Sequence, residues 1–277
     1  MLSTKYLTFF LAIAVVALGV VAFNTRPDNE PDLDFAGIEY ILQNEPEAST
    51  TPGALKVPII IYHSVHPHTL TETKLQQKYN TTPELLEQQL SYLAQKGYTT
   101  ITLNDLAHSL EMGTTSPVLK PVVLTFDDGW ESQYRYAFPL LKKYHDTAAF
   151  YIYTNPIGTK PHFLTWDQIR EMDGAGMTIA DHTLSHPYLK HLSRAELEKE
   201  ILGGKAVLEQ ELGKPVRHFA SPFGYTSPLV RDVLQKAGFA TGRTTYKGTY
   251  HTKDEQFALH GFLVGENMSD FINVLKR

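Results

Sequence analysis

Residues 121–129 read PVVLTFDDG: six residues of strand character that run directly into two carboxylates and a glycine. A strand without polar alternation suits a position covered on both faces, as in a parallel sheet flanked by helices. Seven more short β-branched or aromatic runs lie around it: VPIIIY (57–62), YTTIT (98–102), TAAFYIY (147–153), MTIA (177–180), VRHFAS (216–221), FATGRTT (239–245) and FALHGFLV (257–264). Caps announce helices between them. Thr82-Pro83-Glu84 opens one that stops at Gly97, and Ser227-Pro228 opens another that Gly238 closes. Thr165 with Gln168, and Ser193 with Glu196, have the spacing of capping boxes. Repeated alternation of strand and helix predicts an α/β fold with a mostly parallel sheet, because parallel neighbours need crossover connections. A closed or nearly closed barrel is the first choice and a doubly wound open sheet the alternative. No GxGxxG supports a dinucleotide site.

The chain has 277 residues, with 25 Lys+Arg against 30 Asp+Glu, a net charge of −5 that argues against a nucleic-acid partner. With no cysteine, disulfides, thiolate metal sites and cysteine nucleophiles are excluded together, and any metal site must use His and carboxylate. The 12 histidines make that feasible. Tyr6 to Phe23 is an almost wholly apolar run after Lys5, which predicts export. Residues 1–23 are expected to be an uncleaved signal-anchor in preference to a cleaved signal peptide, residues 24–55 a Pro- and Asp-rich linker, and residues 56–277 the folded domain. The folded domain is expected to be extracytoplasmic, membrane-anchored or secreted, and a monomer.

Polar residues gather at the strand ends. Adjacent carboxylates at 127 and 128 raise each other's pKa unless something positive offsets the repulsion; the bland reading of Asp-Asp-Gly is a solvated turn. His182 and His186 follow another strand at a four-residue spacing that suits one shared metal ion, though such a pair also arises by chance among 12 histidines. With a carboxylate from another strand end they supply two imidazoles and one oxygen, leaving a position open for water or substrate. Pro222-Phe223-Gly224 can present backbone amides to an oxyanion, or be an ordinary turn. His63 stands at the exit of the first strand, with His66 and His68 in the loop beyond.

TFDDG (125–129), HTLSH (182–186) and FASPFG (219–224), with YHSV (62–65) upstream, resemble the polysaccharide deacetylases of carbohydrate esterase family 4 over residues 56–264. The resemblance implies a distorted (β/α) barrel with fewer than eight strands, one divalent metal, most commonly Zn2+ with Co2+ or Ni2+ as substitutes, and removal of acetyl groups from N-acetylglucosamine polymers. It implies Asp127 as general base, Asp128, His182 and His186 as metal ligands, and the Phe223 backbone amide as oxyanion donor. The acid would be a histidine. Leu259-His260 lacks the usual L-x-H spacing, while YHSV resembles a subgroup with circularly permuted motifs, so His63 is preferred to His260. The family's third motif carries an arginine that orients the base; this chain has Ala220 and Ser221 there, so another group must hold Asp127. The pattern is similar to the poly-β-1,6-N-acetylglucosamine deacetylases. Peptidoglycan is the alternative glycan, and a catalytically silent carbohydrate-binding relative the alternative class. Trp130, Tyr225 and Trp166 are candidates for stacking on sugar rings.

Overall fold

The structure is a computed structural model that describes residues 54–265 and 267–277. The apolar run 6–23 and the linker up to residue 53 lie outside the described residues; among those described, no helix is long and apolar enough to cross a membrane.

Eight parallel strands form the main sheet: β1 (Ile59–Tyr62), β2 (Thr99–Thr100), β3 (Pro121–Phe126), β4 (Ala149–Ile152), β5 (Thr178–Asp181), β6 (His218–Ala220), β7 (Thr241–Arg243) and β8 (Phe262–Leu263). Among the described residues the α-helices are α1 (Lys74–Tyr79), α2 (Pro83–Lys96), α3 (Leu103–Met112), α4 (Phe138–Tyr144), α5 (Trp166–Gly174), α6 (Arg194–Leu212), α7 (Pro228–Lys236) and α8 (Met268–Lys276). The expected caps form. Thr82 accepts from Leu85 N, Ser227 from Val230 N, and Thr165 and Ser193 each complete a capping box.

The sheet runs in the order β7-β6-β5-β4-β3-β1-β8 and curls. Its two ends approach through residue 259: Leu259 bridges Arg243, and Phe262 of β8 pairs with Ile60 of β1. The expectation of fewer than eight strands needs correcting by one. β2 pairs only with Pro121 and Val122, while β4 begins on β3 at Thr125, so β2 adds a strand beside the curl without taking a place in its sequence. Inward-facing Ile59, Val123, Ala149, Tyr151, Ala180 and Ala220 pack with Leu103, Leu106 and Leu110 of α3 into one buried cluster. Tyr62, Phe126 and Phe150 stack in a ladder with successive centroids 4.9 Å apart. All six residues of β3 are buried, which explains its lack of polar alternation.

Candidate active site

Parallel strands bring their C-terminal ends to one rim, so residues distant in sequence meet there. His63 follows β1, Asp127 and Asp128 follow β3, His182 follows β5, Phe223 lies just beyond β6, and Arg243 ends β7. The backbone is strained at this rim. Of the six described non-glycine residues with positive φ, four are here: Asp128 (78°), Thr183 (75°), His186 (60°) and Phe223 (57°). Left-handed backbone at a non-glycine residue costs about 1–3 kcal/mol and clusters at functional sites.

Asp128 Oδ1 lies 3.6 Å from His182 Nε2 and 3.4 Å from His186 Nε2. The three residues' ligand atoms all fall within 4.8 Å of one another. A tetrahedral cation with bonds of about 2.0–2.1 Å holds its ligands roughly 3.3 Å apart, close to the two Asp128–His separations, so this N2O set suits a divalent metal. Each ligand is oriented from behind. His182 Nδ1 donates to Ala220 O at 2.7 Å, which leaves the Nε2 lone pair facing the site. Trp130 Nε1 donates to Asp128 Oδ2 at 3.1 Å, leaving Oδ1 to the histidines. His186 N donates to Thr183 Oγ1 at 3.0 Å. Burial, followed by the imidazole of His186 for His182 and that of His63 for His186, pulls both groups down to about 4, so both rings are neutral at neutral pH, the form that ligates. Burial, with the charge of Asp127, raises the Asp128 carboxyl against the pull of His63 and His182, a cost that a bound cation would offset.

Asp127 stands outside this set. Arg243 Nη2 donates to both its oxygens, at 2.6 and 2.5 Å, and the guanidinium lies over the Tyr151 ring, 4.9 Å from the centroid. Burial alone would raise the Asp127 carboxyl, but Arg243, His63 and His182 outweigh it and hold the group below the usual carboxylate range. His63 Nε2 is 3.9 Å from Asp127 Oδ2, its side chain 15% exposed against 4% for the aspartate. Gln133 Nε2 donates to the carbonyls of both His63 and Asp127 and ties the two strand exits together.

Residues 115–242 match the family model described as polysaccharide deacetylase. The chain carries a polysaccharide deacetylase domain. YxkH of Bacillus subtilis (strain 168), named for the same family, is 28% identical over 219 residues, spanning 79% of this chain and 75% of that one. A poly-β-1,6-N-acetyl-D-glucosamine N-deacetylase of Staphylococcus epidermidis is 24% identical over 211 residues, 72% of each chain. The solved structure of the Streptococcus pyogenes deacetylase PplD, in complex with acetate, matches with a TM-score of 0.75 at 26% identity, covering 81% of this chain and 100% of that one. The chain thus carries a hydrolase domain of the polysaccharide deacetylase type, with an Asp-His-His site able to hold a divalent metal.

In this deacetylase domain the remaining candidates divide. Phe223 packs edge-on to His186, centroids 4.8 Å apart, and half-buried Tyr225 and Tyr188 extend that aromatic rim at 5.5 Å from each other. Trp130 does not offer a sugar platform: it is 1% exposed and stacked on Phe163 at 4.5 Å, because its indole N–H is turned inward to Asp128. Half-buried Trp166 packs against Gly158. His260 packs against His251, centroids 5.9 Å apart, and His66 and His68 pair with Glu72. Arg243 fills the role the sequence left open, yet was not among the candidates; its one sequence signal is a charge inside the strand FATGRTT, which a buried position could hold only with a partner. Trp130→Phe keeps the stacked ring and removes the N–H to Asp128. Chelator competition is expected to show metal affinity about tenfold weaker at nearly unchanged stability; equal affinity would mean that the indole only packs.

Proposed function

We propose that this protein is a metal-dependent N-deacetylase of an extracytoplasmic N-acetylglucosamine polymer, with poly-β-1,6-N-acetylglucosamine as its substrate. The observation that carries the reading is the separation of two adjacent carboxylates: Asp128 faces two imidazoles, while Asp127 is withheld from them by Arg243 and stands 3.9 Å from His63. Asp128, His182 and His186 would hold the cation, with Zn2+ the first choice and Co2+ or Ni2+ able to replace it. When bound, the cation supplies Lewis acidity to the acetyl carbonyl and to the attacking water.

Asp127, ionised and low in pKa, takes the proton as water attacks the acetamide carbon. The backbone N–H of Phe223 donates to the oxygen that becomes negative. An amide nitrogen does not leave as an anion, so His63, more exposed than the aspartate it faces, delivers the proton to the departing amine. Tyr225 on the rim lines the path of the sugar chain. The apolar run at 6–23 would keep the domain on the outer face of a membrane, where such polymers lie. Two things support the β-1,6 linkage: the placement of the acid histidine after the first strand, as in the permuted subgroup, and the likeness to the Staphylococcus epidermidis relative over 72% of both chains.

Acetate release from β-1,6-linked N-acetylglucosamine oligomers, β-1,4-linked chito-oligosaccharides and peptidoglycan fragments tests this, each before and after chelation and Zn2+ repletion. Metal-dependent release fastest on the β-1,6 oligomer is expected. Release fastest on peptidoglycan would replace the substrate, and glycan binding with no release from any would favour a silent binder. His63→Ala is expected to slow amide hydrolysis by about 10² or more while sparing an activated acetyl ester, whose leaving group needs little protonation. Equal loss on both would place the acid elsewhere.

A further inference from the structure

Thr183 and His186 both hold left-handed backbone within a four-residue loop, and for a β-branched residue such as Thr183 that conformation is uncommon. Strain of this kind persists only when the surroundings over-determine it. One side of the loop hangs on the segment after β4, where Thr154 N and Asn155 N donate to Thr183 O and Leu184 O at 3.1 and 2.9 Å. The other side is moulded by α6. Glu200 O accepts from Leu184 N at 3.1 Å, and its carboxylate takes Ser185 N on Oε2 and Ser185 Oγ on Oε1, both at 2.9 Å. The next turn of the helix carries half-buried Gly203 and buried Gly204, where the loop approaches too closely for any side chain. A Cβ at Gly203 would meet Leu184 Cδ1 at 2.4 Å, and one at Gly204 would meet Asp181 Oδ1 at 2.3 Å and Thr183 C at 2.8 Å. That Asp181 oxygen accepts from Thr183 N at 2.9 Å, so the glycine makes room for the bond that starts the turn.

We infer that Glu200, with the Gly203-Gly204 pair, is a positioning residue for the metal-ligating loop, fixing where His186 stands relative to His182 and Asp128. The inference rests on the reading of Asp128, His182 and His186 as a metal site. Glu200 touches neither metal nor substrate; it acts through Ser185 and Leu184, the two residues between the turn at Thr183 and His186. Gln can keep both side-chain contacts, accepting from Ser185 N and donating to Ser185 Oγ, whereas Ala keeps neither.

The test is Co2+ titration of the full chain by chelator competition, with the visible absorption spectrum recorded as a report on coordination geometry. Glu200→Ala is expected to bind Co2+ about tenfold more weakly or worse, with an altered spectrum, and Glu200→Gln to restore most of both. Ser185→Ala, at an exposed position, is expected to show a smaller loss in the same direction. Glu200→Ala with wild-type affinity and spectrum would overturn the inference, as would a Gln variant no better than Ala. Should Glu200→Ala fail to fold, a Ser185→Ala spectrum and affinity identical to wild type would overturn it instead. Wild-type protein that takes up no Co2+ would overturn the metal-site reading itself, an outcome distinct from any of these.

Discussion

Asp127→Asn is expected to lower acetate release by about 10² to 10⁴ while the folded protein still takes up one equivalent of metal. The substitution keeps the size of the side chain and removes the charge that accepts a proton. Because Asp127 lies outside the Asp128–His182–His186 set, the ligand atoms are untouched. His182→Ala, by contrast, removes a ligand and is expected to lose metal and activity together. The comparison must be made on folded protein, since Asn leaves the guanidinium of Arg243 without its carboxylate, and breaking a buried ion pair costs about 3–5 kcal/mol. Equal metal loss in the two variants, by metal analysis after dialysis, would abolish the distinction between base and ligand.

Arg243→Met is expected to act on both stability and pH dependence. Arg243 is 2% exposed and its Nη2 bonds both oxygens of Asp127. Replacing it with an uncharged chain of similar volume leaves a buried carboxylate unpaired, lowering unfolding free energy by about 3–5 kcal/mol. The sign of the pH effect follows from the cause. Arg243 is the foremost of the charges that pull the Asp127 carboxyl down against burial, so its loss raises that pKa. The carboxylate then becomes protonated at higher pH, and the acidic limb of kcat/KM moves upward. Arg243→Lys restores the charge as a point, without the planar fork, and is expected to return the limb only part of the way. Loss of stability with an unmoved acidic limb would make Arg243 structural alone.

The parts of this protein legible in its sequence are those set by short-range rules. Thr82, Thr165, Ser193 and Ser227 cap the helices they announce because a cap is settled by three or four residues. PVVLTF is a strand over the residues expected, because burial on both faces leaves an unbroken apolar run. FALHGFLV is different: it reads as one strand of eight residues, yet Leu259 pairs with β7 and only Phe262–Leu263 pair with β1, since the segment changes partners as it passes between the two ends of the curl. No local periodicity records such an exchange. Arg243 was hidden for a related reason, as its partner Asp127 is 116 residues away. Trp130 was legible as an aromatic near the site but not in its orientation, which depends on Phe163 filling the other face of the indole. Glu200 reads as one more acid on a polar helix until the loop it clasps is seen against it.

The central claim is that Asp128, His182 and His186 share one cation from which Asp127 is excluded. Diffraction from crystals grown with Zn2+, measured on either side of the zinc absorption edge, tests it most directly. The expected result is a single anomalous peak about 2.0–2.2 Å from Asp128 Oδ1, His182 Nε2 and His186 Nε2, with Asp127 still on Arg243. A peak coordinated by Asp127, or one lying away from the two imidazoles, would contradict the account.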